Sequence, residues 1–245
     1  ALIPTWRRDL AIEGDIAEEV ARVRGYERTP GTLPDTPMPA FRPSPLEVRD
    51  HLRNVLAGAG LSEVVTHALV SPRDVAQFPA PAEPDGPVAG EAPAAGTPIL
   101  VTNPLSSQHS VLRQRLIGSL IEVVRSNLRQ GRDDVAVFEV GKGYGRVDGR
   151  PHEWWRLGLA LTGASAPRAW NRPLALYDLD DAKGLLDLLA LEAGLGPVTL
   201  VPLTDSAIFH PGRSAIATAR TTDGEAIGLR AEVGELHPRL LDEHE

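Results

Sequence analysis

Two Asp-Gly steps, Asp148-Gly149 and Asp223-Gly224, stand between stretches of strand-forming residues and constrain the fold more than any other feature. Asp-Gly accepts the positive φ angles of a tight hairpin turn, so the flanking strands are directed into antiparallel pairs. Val135 to Val140 and Glu153 to Thr162 read as the first pair, joined through Gly-rich turns, and Ser214 to Ala219 and Ala226 to Val233 bracket the second. Helical spacing lies between and around them. Leu116, Leu120, Val123, Val124 and Leu128 recur on one helical face until Gly131, and Asp181 to Glu192 forms a Leu-rich helix closed by Gly194. Helices and hairpins alternate without a βαβ rhythm. That order favours an α+β class, an antiparallel sheet flanked by helices, over a doubly wound parallel fold.

The N-terminal part has its own punctuation. After an extended start, Asp15 opens a helical pattern through Ile16, Ala17, Val20 and Val23 that Gly25 stops. Prolines 30, 34, 37, 39, 43 and 45, with Gly31, then preclude long regular structure, so the best domain boundary lies here. Ser44-Pro45-Leu46-Glu47 carries Ser at N-cap, Pro at N1 and Glu at N3, a capping-box start for a helix burying Leu52, Val55 and Leu56 and ending at Gly58 or Gly60. Val64 to Leu69 reads as a strand, Ser71-Pro72-Arg73-Asp74 as a short helix start, and Ile99 to Thr102 as a further strand before a turn at Asn103-Pro104. Residues 79–98 are mostly Ala, Pro, Gly and acid, with little apolar material to offset ordering entropy, and read as a mobile surface loop.

A hydrophobic fraction of 42% in 245 residues is ample for a core. No apolar run approaches the roughly 20 residues of a membrane span, and the start lacks the order of a signal peptide or an initiator Met, so the sequence reads as cut from something longer. Zero cysteines exclude disulfides and thiolate metal sites and suit a reducing cytoplasm. A net charge of −8 argues against a broadly basic nucleic-acid surface while leaving local patches open.

The densest polar constellation is Asp9, Asp15, Glu18 and Glu19. On a helix beginning at Asp15, positions 15, 18 and 19 share a face, and Asp9 can fold back towards them. Crowded carboxylates suit a hard cation such as Mg²⁺. The alternative is a capped helix start, with Asp15 as N-cap, Glu18 as its capping-box partner and the acids favoured by the helix dipole. Other candidates have simpler readings. His210-Pro211-Gly212-Arg213 and Glu235-Leu236-His237-Pro238 resemble turns, Gly141-Lys142-Gly143-Tyr144-Gly145 fits a bulged hairpin better than a phosphate cradle, and Trp154, Trp155 and Trp170 are more commonly buried sheet aromatics than base-stacking platforms. No nucleophile elbow or Walker phosphate loop is present.

Several segments together resemble one family. Pro4-Thr5-Trp6-Arg7-Arg8-Asp9 followed by Asp15-Ile16-Ala17-Glu18-Glu19-Val20-Ala21-Arg22-Val23-Arg24-Gly25-Tyr26-Glu27 is similar to a segment of bacterial phenylalanyl-tRNA synthetase β subunits. Gly60-Leu61-Ser62-Glu63-Val64-Val65-Thr66, Asn103-Pro104-Leu105-Ser106, Leu112-Arg113-Gln114-Arg115-Leu116, Phe138-Glu139-Val140-Gly141, Asp181-Ala182-Lys183-Gly184, His210-Pro211-Gly212-Arg213 and Gly234-Glu235-Leu236-His237-Pro238 keep that family's order. Each is weak alone, but their co-linearity is specific. Arg24, where the family usually has an aromatic, and the 79–98 segment depart from the pattern.

The resemblance implies a subunit of an α₂β₂ ligase that joins phenylalanine to its tRNA with ATP in the cytoplasm, the active site being in α. It implies a winged-helix-like remnant over 1–36 and a degenerate class II synthetase-like core over 37–245. It also implies Mg²⁺ shared with the α subunit and bound at Asp9, Asp15, Glu18 and Glu19, whose six-, three- and one-residue steps match the family's. No residue of this chain is expected to be catalytic. Class II catalysts carry Arg-x-Glu on a strand, the Arg gripping the ATP α-phosphate. If Glu139 holds the Glu position, Val137 stands where that Arg would be. The helix from Pro45 is assigned to the α–β interface by analogy. Competing readings are a stand-alone class II-like ligase, which requires ATP binding, and a nucleic-acid module in the first unit, which requires salt-dependent tRNA binding.

Overall fold

The computed structural model describes residues 2–33, 35–37, 44–80, 96–221 and 227–244. The chain divides into two compact units, Ala1–Pro43 and Ser44–Glu245. The first is built around one helix, α1 (Glu13–Arg24), none of whose residues is buried.

In the second unit, α2 (Pro45–Gly58) starts where the Ser-Pro signal places it, the Ser44 hydroxyl accepting the Leu46 N–H at 3.2 Å. Then come β1 (Ser62–Glu63), β2 (Leu69–Val70), α3 (Pro72–Gln77), β3 (Val111–Leu112), α4 (Ile117–Arg129), β4 (Val135–Val147), β5 (Arg150–Thr162), α5 (Leu179–Glu192), β6 (Thr199–Pro202), β7 (Phe209–Arg220), β8 (Ile227–Leu236) and α6 (Pro238–His244). Among the described residues no helix is long and apolar enough to cross a membrane.

Among the described residues the strands form three sheets, ordered β1-β4-β5, β2-β3 and β6-β7-β8. Every pairing is antiparallel except the short β1–β4 contact, so the expected class holds. The first hairpin is longer than its apolar pattern suggests, because β4 and β5 stay in register down to Val147↔Arg150. Asp148 and Gly149 make the two-residue turn, with φ of 50° and 75°. The glycines at 141, 143 and 145 interrupt neither strand, so the bulge expected there is absent. Asp223-Gly224 and most of the 79–98 segment lie outside the described residues, but β7 and β8 pair as expected.

Two helical layers cover the β4–β5 hairpin. On one face Val135 and Val137 pack with Leu116 and Leu120 at the start of α4. On the other, fully buried Phe138 packs with Leu56, Leu61 and Leu189, bringing α2 and α5 together. Leu52 and Leu56 of α2 face this core, as its periodicity predicts.

The strand expected over Val64 to Leu69 is split. Only Ser62–Glu63 and Leu69–Val70 pair as strands. Between them the backbone leaves the ladder and turns Thr66 onto the side chain of Glu139. Ile99 to Thr102 likewise makes bridging contacts, such as Leu100 with Val111, rather than a full strand.

Candidate functional site

In the first unit, α1 begins two residues before Asp15. Asp15 therefore occupies the third helical position, and its Oδ2 accepts the N–H groups of Ala11 at 2.7 Å and Ile12 at 2.9 Å. The acid that reaches back to the helix start is thus Asp15 itself, which corrects the pairing of an Asp15 cap with Glu18. The two amides hold the Asp15 carboxyl below its ordinary pKa. Asp15, Glu18 and Glu19 keep the spacing of one helical face.

Arg7 dominates what these acids meet. Its Nη2 donates to Asp9 Oδ2 at 2.6 Å and to Glu19 Oε1 at 2.7 Å. Arg22 Nη2 holds the other oxygen of Glu19 at 2.5 Å. The Arg7 guanidinium lowers the pKa of Asp9, and Arg22 with Arg7 lowers that of Glu19. Asp9 and Glu19 are therefore joined through one cation, while Asp15 is turned to the backbone and Glu18 is exposed. Four hard oxygen donors suit Mg²⁺ chemically. In this structure Arg7 lies between two of them, and among the described residues no three or more acidic or His side chains are grouped to hold a metal ion.

In the second unit Glu139, for which the family resemblance suggested the class II glutamate position, is closed in. Glu139 is 2% exposed and Arg113 4%, and Arg113 grips the carboxylate with Nη2 to Oε1 at 2.7 Å and Nη1 to Oε2 at 3.2 Å. The Thr66 hydroxyl accepts from Arg113 Nη1 at 2.5 Å and donates to Glu139 Oε2 at 2.6 Å. Arg113 Nε adds a bond to the Lys142 carbonyl at 3.1 Å. A buried charge is tolerable only when paired and hydrogen-bonded in this way.

Gly141 makes the arrangement possible, since a Cβ there would lie 2.5 Å from Arg113 Nη2 and 2.8 Å from Glu139 Oε1. Val137 is buried in the α4-facing cluster. The guanidinium comes instead from Arg113, 26 residues before Glu139 in the chain. Composition gave no pointer to Arg113 or Thr66. Both lie in the short segments that carry the family resemblance, but nothing in those segments indicated that the two residues meet Glu139.

Most of the remaining candidates resolve into structural roles. Gly141 to Gly145 are strand residues against Arg113 and Gln114, so no phosphate cradle forms. His210-Pro211-Gly212-Arg213 lies in a register shift within β7, His210 Nδ1 accepting the Gly212 N–H at 3.1 Å. Glu235 pairs with Arg213 at 2.9 Å, and His237 Nδ1 accepts the Arg239 N–H at the start of α6. Trp154 is buried, as expected of a sheet aromatic. Trp155 is 48% exposed beneath the Arg49 guanidinium, 3.8 Å from its ring centre, and Trp170 is 98% exposed.

Comparison with known proteins follows the same lines. Residues 30–245 match the family model described as phenylalanyl tRNA synthetase beta chain CLM domain. The chain is 34% identical over 247 residues to a phenylalanine–tRNA ligase beta subunit of Symbiobacterium thermophilum, covering all of this chain and 26% of that protein. It is 36% identical over 247 residues to the corresponding subunit of Geobacillus kaustophilus, covering 99% and 28%. It thus spans about a quarter of the length of these relatives. A crystal structure of pyrrolysyl-tRNA synthetase from Desulfitobacterium hafniense superposes with a TM-score of 0.53 at 17% identity, over 99% of this chain and 75% of that one. A second structure of that organism's enzyme gives 0.52 at 18%. The shared fold is the class II synthetase fold.

Proposed function

Because the chain belongs to the phenylalanyl-tRNA synthetase beta chain family, we propose that it is the non-catalytic class II-like module of a phenylalanine–tRNA ligase, serving as scaffold and as partner of the α subunit. One observation supports the non-catalytic role above the rest: the carboxylate at the class II glutamate position is sealed by Arg113 and Thr66, while Val137 is built into the core. A synthetase strand that handles ATP needs its guanidinium facing an open cleft so that it can meet phosphate. Here the guanidinium is spent inside the protein. The fold is kept and the nucleotide grip is not.

In this reading ATP, phenylalanine and tRNA are handled by the assembled cytoplasmic enzyme, an α₂β₂ heterotetramer, with the chemistry in α. The test uses the full-length β chain and its α partner. Aminoacylation of tRNA is expected only when both are present, and phenylalanine-dependent pyrophosphate exchange by β alone would sink the assignment.

Magnesium at Asp9, Asp15, Glu18 and Glu19, completed by the α subunit, belongs to the same proposal. It requires Arg7 to release Asp9 and Glu19, since the guanidinium lies between the two carboxylates. Arg7→Ala is therefore expected to raise the affinity of the chain for Mn²⁺ by about fivefold, the scale of a partly exposed ion pair. Loss of the free Mn²⁺ electron paramagnetic resonance signal on titration reads this directly. Unchanged or weaker binding would count against the site.

A further inference from the structure

Away from α1 and from the Arg113–Glu139 pair, two histidines come together in the second unit. His67 precedes β2 and His109 precedes β3, yet their rings meet with centres 6.0 Å apart and planes inclined at 78°. The backbone fixes both positions. Next to His67, the Arg113 N–H donates to the Ala68 carbonyl at 2.9 Å, and on its other side Thr66 is held by Glu139, its hydroxyl 2.6 Å from Oε2. Next to His109, the Ser110 N–H donates to the Val70 carbonyl at 3.1 Å, and the His109 N–H itself donates to the Ser106 carbonyl at 3.1 Å. Both histidines are exposed.

Neither imidazole makes a hydrogen bond or an ion pair among the described residues. Each neutral ring therefore keeps its acceptor nitrogen available. Imidazole nitrogen suits Zn²⁺, Ni²⁺ and Cu²⁺, whereas Mg²⁺ prefers oxygen, so the chemistry differs from that of the α1 carboxylates. The spacing fits a shared ion. Two imidazoles on one tetrahedral metal, with metal–nitrogen bonds of about 2.0–2.1 Å, have ring centres roughly 5 Å apart. Rotation of two exposed side chains closes the remaining gap without moving the backbone. A ring contact alone at the surface adds little stability, because water can replace it on either side.

We propose that His67 and His109 form a two-imidazole site for a divalent transition-metal ion, of the Zn²⁺, Ni²⁺ and Cu²⁺ class. Among the described residues no group of three or more His or acidic side chains is placed to hold an ion. The metal would thus take two protein nitrogens and fill its shell with water, binding less tightly than the three- and four-ligand zinc centres. What the fold supplies is preorganisation: the second imidazole is already beside the first, so its capture of the ion is intramolecular. The site does not depend on the ligase reading, and its test is independent of that reading.

The experiment titrates Cu²⁺, the strongest binder of the class, into the full-length chain and reads affinity by calorimetry and ligand number by electron paramagnetic resonance. One Cu²⁺ coordinated by both imidazoles is expected. His67→Ala and His109→Ala should each weaken that binding about tenfold or more, since either removes one arm of a two-point contact, and each should leave a single-imidazole signal. His152→Ala, which removes an exposed histidine of β5, should change nothing. Denaturation midpoints without metal should be equal, whereas Zn²⁺ should raise the midpoint of the unaltered chain alone. Acidification should release the ion, because the ligand is the neutral ring. Absence of a two-imidazole signal in the unaltered chain overturns the proposal. So does a loss confined to one of the two variants, which means a lone histidine, or an equal loss in His152→Ala, which means adventitious surface binding.

Discussion

Arg113→Ala is expected to lower the unfolding free energy of the chain by about 3–5 kcal/mol, the loss that follows when one partner of a buried ion pair is removed. Glu139, 2% exposed in the intact pair, would be left with its charge answered only by Thr66. The expected readout is a large fall in urea midpoint at unchanged slope. The double variant Arg113→Met/Glu139→Leu should recover most of the loss, because two apolar side chains of similar size avoid the desolvation penalty that the pair must offset. If the single variant were as stable as the parent, the ion pair would not be a structural plug. The presence of a buried charge pair in an apolar sheet would then need another reason.

Val137→Arg tests the same idea from the opposite direction. It writes the Arg-x-Glu pattern back onto β4, which a merely dormant site could use to regain nucleotide affinity. No such gain is expected. Position 137 faces Leu116, Leu120 and Val135, and Glu139 is already saturated by Arg113. A new guanidinium there is buried without a partner, at a cost of several kcal/mol. The variant is expected to unfold or to lose most of its stability, read by circular dichroism and denaturant titration. A folded Val137→Arg chain that binds ATP would show the cleft to be open.

Much of the fold was legible because its signals are local. Asp148-Gly149 dictated a hairpin and Ser44-Pro45 a helix start, and both stand where the residues say. The ordered short signatures gave the family, and the structure shows what some of them do. Arg113 binds Glu139, Arg115 pairs with Glu232 at 2.7 Å, and Gly141 clears space for the first of these pairs. What sequence could not supply were the long-range partners. The split of Val64 to Leu69 depends on a carboxylate 73 residues from Thr66, and strand propensity cannot see it. At the carboxylate face, spacing placed Asp15, Glu18 and Glu19 correctly on one side of α1, but Arg7 competes for the same oxygens and only geometry reveals that. Trp170 was read by residue type, which favours burial, whereas it stands exposed in the segment between β5 and α5.

The most direct test is calorimetric titration of Mg-ATP into the full-length β chain without α. A module whose Glu139 is engaged by Arg113 and whose Val137 is built into the core should release no saturable heat at micromolar ligand. One-to-one micromolar binding would mean that a nucleotide site remains open in this subunit, and the non-catalytic assignment would fall.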